Sequence, residues 1–239
     1  MKTKQNFTLV ELLIVVAIIA ILASMILPAL RSALDKSRAI SCASNHKQLG
    51  TATFLYVDDN KGYMPSSNVN YSSIAQHVPW ASILWGYATH KQITYDHAYL
   101  QQVTGTDKFK PRVSMFCCPA VLDPFKPSEE MKHIGRNITF YGSSYAVNLF
   151  ISRCRWPSER MLYSDFYYQG SAYDLNVAHF TSGSTTYTDR GYMTYLHPGL
   201  TATVTHLDGH VKAWNIHAVP QIMDKSRFWG KSPDTGGRR

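Results

Sequence analysis

Phe7 to Leu30 reads FTLVELLIVVAIIAILASMILPAL, an apolar run broken by one carboxylate, Glu11. From Leu12 to Leu30 an α-helix would rise about 28 Å at 1.5 Å per residue, close to the roughly 30 Å of a bilayer's hydrocarbon core. The run is longer than the apolar region of a cleaved signal peptide, and no A-x-A-like site closes it. It continues through Pro28 into Arg31-Ser-Ala-Leu-Asp-Lys-Ser-Arg38, which also reads as helix. A plain signal anchor accounts for the length but gives no reason for Glu11. An acidic group at the centre of a span costs about 2.5–3.5 kcal/mol on insertion scales, less near the edge, and marks a partner or a function.

The string Phe7-Thr-Leu-Val-Glu11-Leu-Leu-Ile-Val-Val-Ala-Ile-Ile-Ala-Ile-Leu-Ala23 resembles the class III signal of type IV prepilins and type II secretion pseudopilins. The resemblance implies that a short basic leader, residues 1–6, is removed at Asn6–Phe7 by a prepilin peptidase and that Phe7 is then methylated. It also implies that Glu11 neutralises the terminal amine of a neighbouring subunit, because a buried carboxylate is tolerable when an opposite charge meets it. Pro28 matches a proline often found in such helices, where it frees a carbonyl and permits a kink during assembly. Asn6 stands where the family usually has Gly, which threads most easily through a peptidase. An uncleaved chain would remain a full-length anchor. Lys2 and Lys4 suit a cytoplasmic amino terminus, although Arg31, Lys36 and Arg38 weaken the charge asymmetry.

The chain has 239 residues, 45% hydrophobic and 17% charged, with 24 basic and 16 acidic residues giving a net charge of +8. Beyond the anchor there is chain enough for one domain with its own core. The excess of positive charge is scattered, without a dense basic stripe or a recognised nucleic-acid module, so specific nucleic-acid binding is not expected. Cys42, Cys117, Cys118 and Cys154 lie beyond the span and would face an oxidising compartment. Four cysteines allow three pairings. The vicinal Cys117–Cys118 bridge is disfavoured by strain, and Cys42 with Cys118 is preferred because it would tie the long helix to the domain. A zinc site is the alternative, with the lack of a C-x-x-C pair and the irregular spacing against it. No metal and no cofactor is expected.

From Arg31 to Tyr56 no proline intervenes, and Leu30, Leu34, Ile40, Leu49 and Ala52 are spaced loosely for one face, predicting an amphipathic extension of the helix over 31–57. Asp58-Asp-Asn-Lys-Gly62-Tyr-Met-Pro65 should stop it. That acidic cluster lacks the ligand spacing of a calcium loop. Trp80 to Tyr87 and Ala98 to Val103 read as short helices. The aromatic residues between Ser66 and Arg112 fit core packing better than a sugar-binding face.

Further strings resemble a branch of pilin-like proteins with a carboxy-terminal H-x9-DG signature: Ser41-Cys-Ala-Ser-Asn-His-Lys-Gln-Leu-Gly50, Met115-Phe-Cys-Cys-Pro119, Ser144-Tyr-Ala-Val-Asn148, Pro157-Ser-Glu-Arg160 with Asp165, and Leu207-Asp-Gly-His-Val-Lys212. Ten residues rather than nine separate His197 from Asp208. Independently, Ala202–Leu207 and His210–Trp214 read as strands joined by a two-residue Asp208-Gly209 turn. In that register His206 faces Val211 and Leu207 faces His210, placing the two histidines on opposite sides and arguing against a His206–Asp208–His210 metal triad.

The expected fold is α+β: a long amino-terminal helix, transmembrane over 7–30 and then amphipathic, packed on an antiparallel sheet within a domain over 58–230, with a flexible tail at 231–239. By resemblance the protein is a subunit of a type IV pilus or type II secretion pseudopilus. It would be inserted once in the inner membrane with its domain periplasmic or extracellular. Its partners would be other pilin-like subunits, the prepilin peptidase, the inner-membrane assembly machinery and lipid. No nucleophile elbow, phosphate loop or metalloprotease motif supports catalysis. An anchored module binding polysaccharide and an anchored hydrolase remain as alternatives.

Overall fold

The computed structural model describes residues 8–65, 68–70, 77–89, 115–116, 118–121, 131–137, 150–168, 176–178, 191–193, 195–220 and 228. The leader, Asn6, Phe7, Cys117, the helix expected at 98–103, the string at 144–148 and the tail at 231–239 lie outside them.

Helix α1 runs from Leu9 to Asp59 and retains Pro28 within it. The chain divides into two compact units at residues 37 and 38. In the first unit the helix begins with a reciprocal cap. The Thr8 backbone N–H and hydroxyl each donate to Glu11 Oε2 at 2.8 Å, and the Glu11 N–H donates to Thr8 Oγ1 at 3.3 Å. This is a Thr-x-x-Glu capping box, which satisfies donors that the first helical turn otherwise leaves unpaired. Glu11 thus has a local structural role that the anchor reading lacked. The apolar side chains that follow, from Leu9 to Leu34, are exposed. The most apolar 18-residue window has a mean hydropathy of 3.0 and is long and apolar enough to cross a membrane.

In the second unit, Arg38–Arg239, α1 buries Cys42, His46, Leu49, Gly50, Ala52, Thr53 and Val57. Positions 42, 46, 49, 53 and 57 recur every three or four residues and so form one stripe. The expected face is corrected in part: Leu49 and Ala52 are buried, but Ile40 is 71% exposed. The stripe is set instead by polar and small residues that a hydrophobicity pattern passes over. The stop falls where expected. Lys61 takes a left-handed φ of 57° and the Gly62 N–H reaches back to the Val57 carbonyl at 2.8 Å, a helix-closing bond of the Schellman type.

Six further strands follow a short antiparallel pair, β1 (Asn68–Asn70) and β2 (His77–Pro79), and helix α2 (Trp80–Thr89). These are β3 (Met131–Asn137), β4 (Met161–Tyr168), β5 (Asn176–Ala178), β6 (Gly191–Met193), β7 (Thr201–His206) and β8 (Val211–Asn215). Strand β4 is central: β3 pairs along one edge, while β7 and β6 share the other. The β3–β4–β7–β8 ladder is antiparallel, as expected, but β5 adds short parallel pairings with β3 and β6. Tyr163 of β4 stacks on Trp80 of α2 with ring centroids 5.4 Å apart. Its hydroxyl donates to Thr53 Oγ1 at 2.7 Å, and the Thr53 hydroxyl in turn donates to the Leu49 carbonyl at 2.8 Å. Helix α1, helix α2 and the sheet therefore close on one core that includes Leu49, Trp80, Leu84, Phe116, Ile134, Tyr163 and Val204.

Candidate functional site

Asp165 lies near the middle of β4 in a strand reading MLYSDFYY, fully buried where an unpaired carboxylate would be prohibitive. Four donors converge on it. On Oδ1 it receives the Cys42 thiol at 3.0 Å and His46 Nε2 at 3.3 Å. On Oδ2 it receives His197 Nε2 at 3.1 Å and the Thr203 backbone N–H at 2.7 Å. Cys42 and His46 reach it from adjacent turns of α1, an i, i+4 pair on one helix face. His46 Nδ1 faces Thr205 Oγ1 of β7 at 2.9 Å. Cys118, which immediately precedes a short 3₁₀ turn at Pro119–Val121, places its sulfur 3.5 Å from His197 Nε2.

One ligand atom from each of Cys42, Cys118, Asp165 and His197 lies within 4.8 Å of every other, and all four residues are buried. Burial alone would push the Asp165 carboxyl up, but the hydrogen bonds from His197 and His46, with their charges, outweigh it and hold the group well below the usual carboxylate range. Burial likewise opposes a charge on His197, yet Asp165 and then Cys118 push that imidazole up to about 10. The two thiols diverge. Hydrogen bonding to Cys42 and, against burial, to His197 lowers Cys118 to about 7, whereas Cys42 is pushed up by Cys118, by burial and by Asp165.

The preferred Cys42–Cys118 pair is thus brought together, but no disulfide joins it: both are free thiols, as is half-buried Cys154. Each sulfur is directed at the Asp165–His197 pair. In the sequence, His46 and Asp165 stand out only as members of the strings that resemble the pilin-like branch. The C-x3-H spacing on a helix and an acid amid apolar strand residues were the available signals.

His197 and Asp208-Gly209 do not share a hairpin. His197 precedes β7, where it forms a bridge with Thr201, and Asp208-Gly209 follows the other end of that strand. The hairpin itself differs from expectation. Thr205 pairs with Val211, and the His206 N–H donates to the His210 carbonyl at 2.8 Å, so His206 lies opposite His210. The loop is Leu207-Asp208-Gly209, closed by the Gly209 N–H on the His206 carbonyl at 2.9 Å, with Gly209 at a φ of +85°. A three-residue loop ending in a left-handed glycine, rather than a two-residue turn, sets the register. The two histidines are therefore on the same side, their rings stacked with centroids 4.1 Å apart. His206 Nε2 accepts the Trp214 indole N–H at 3.0 Å, and His210 Nδ1 binds Asp208 Oδ1 at 2.6 Å. Those bonds engage one ring nitrogen of each histidine and one oxygen of Asp208.

Residues 1–27 match the family model described as the prokaryotic N-terminal methylation motif. No curated protein and no solved structure is significantly similar to the chain.

Proposed function

We propose that the protein is a pilin-like subunit that assembles with others of its kind into a type IV pilus or a type II secretion pseudopilus after removal of residues 1–6 and methylation of Phe7. The observation that carries this reading is the methylation motif at residues 1–27, coinciding with a membrane-length helix whose apolar surface is exposed. Exposed Leu, Ile and Val side chains along a helix need either lipid or other helices, and a subunit that moves from membrane to filament uses both in turn. The domain beyond residue 37 stands on the far side of the membrane from Lys2 and Lys4. On this reading the protein is a structural component rather than an enzyme.

Glu11 would carry the axial contact. The cap uses Oε2 for both of its bonds to Thr8. Among the described residues Oε1 takes none, so a neighbouring subunit's terminal amine can be met without dismantling the helix start. Glu11→Ala should leave the protein inserted in the inner membrane but abolish its incorporation into filaments, scored by sheared-fraction immunoblot beside a membrane-fraction control. Normal incorporation of that variant would contradict the charge-pairing role.

A further inference from the structure

We propose that Cys42, Cys118, Asp165 and His197 form a zinc(II) site that fastens helix α1 to strand β4 and to the segments bearing Cys118 and His197. Two thiolates, an imidazole nitrogen and a carboxylate oxygen constitute a four-ligand donor set suited to tetrahedral zinc, which accepts mixed sulfur, nitrogen and oxygen ligands in closed structural sites.

The spacing fits the ion. Zinc–sulfur bonds of about 2.3 Å and zinc–nitrogen or zinc–oxygen bonds of about 2.0–2.1 Å place the ligand atoms of a tetrahedron about 3.3–3.8 Å apart. The Cys42–Asp165, His197–Asp165 and Cys118–His197 separations are 3.0, 3.1 and 3.5 Å, and none of the remaining separations exceeds 4.8 Å. Modest outward adjustment of the short edges would admit a cation. The surrounding shell also suits one. His46 Nε2 and the Thr203 N–H hold the carboxylate from outside the ligand set, and Thr205 orients His46. Such outer contacts fix the direction of a first-sphere ligand and offset the excess negative charge of two thiolates and a carboxylate around a divalent ion.

Hydrogen bonding alone serves this cluster poorly. His197 Nε2 is within reach of both Asp165 Oδ2 and Cys118 Sγ, yet that nitrogen carries at most one proton. A disulfide would use only the two sulfurs and leave Asp165 and His197 as a buried pair. A cation engages all four groups at once and links three sequence-distant segments to α1. The proposal is independent of filament assembly: the zinc content is a property of the folded domain whether or not the chain polymerises.

The test uses the full-length chain, purified in detergent without a polyhistidine tag and analysed for metal by elemental mass spectrometry. The expected result is about one zinc per chain, retained in His210→Ala and lost in Cys118→Ser and His197→Gln. Because those last two variants can fail by misfolding, the wild-type chain is also stripped with chelator and reloaded with cobalt(II). Thiolate-to-cobalt charge-transfer absorption and intense tetrahedral d–d bands, with the thermal midpoint restored on reloading, would support the site. Wild-type protein that takes up no zinc or cobalt, or whose intact mass and peptide map show a Cys42–Cys118 disulfide, would overturn it.

Discussion

Gly209, like Gly62, meets two constraints that only a glycine satisfies together. Its φ of +85° lies in the left-handed region, and a Cβ at that position would come within 2.7 Å of Phe54 Cε2 on α1. Lys47 donates to its carbonyl at 3.3 Å from the same helix. The hairpin tip is thereby docked on α1, which gives the Asp-Gly pair a physical reason beyond making a turn. Gly209→Ala should destabilise the domain by about 1–3 kcal/mol from backbone strain alone, measured by denaturant unfolding. His206 provides a second residue-scale prediction. Burial first, then the neighbouring His210, pushes it down to about 4, and the Trp214 N–H occupies the lone pair a proton would need. An unfolded histidine titrates near 6.5. The stability this group confers is therefore complete above that value and declines as pH falls from about 6.5 towards 4, where the native ring at last protonates. NMR should find the ring neutral down to about pH 4, and Trp214→Phe should move its midpoint upward.

At the scale of elements, α1 changes what it buries along its length. Before residue 38 its apolar side chains are exposed, whereas beyond it a stripe containing Cys42, His46, Leu49 and Thr53 enters the domain core. Leu49→Ala should cost about 2–5 kcal/mol through lost burial and a residual cavity. Ile40→Ala, at a site 71% exposed, should change stability by less than about 0.5 kcal/mol. The same unfolding assay compares the two, and equal costs would mean that the helix packs in a different rotation. The helix's existence and its stop near Asn60 were legible from apolar content and turn residues. Its buried face was not, because a cysteine, a histidine and a threonine supply much of it and their burial depends on β4 and β7. The hairpin was legible as an element, but its register depended on a third loop residue. A two-residue reading therefore placed every side chain beyond the turn on the wrong face.

For the whole molecule, the strings that suggested a pilin-like branch include the segments that contribute Cys42, His46, Cys118 and Asp165 to one buried cluster. Cys42 and Asp165 are 123 positions apart in sequence, and no local period encodes their meeting, so the cluster stayed out of reach of sequence spacing. The amino-terminal motif was legible from the first line, because an apolar span with a single acid is a short-range pattern that needs no tertiary contacts to be read. Whether that span is processed is read from the mass of the mature amino terminus. The expected result is a chain beginning at Phe7 and carrying a methyl group on its amine. A chain recovered from its native membrane with Met1 to Asn6 intact would contradict it.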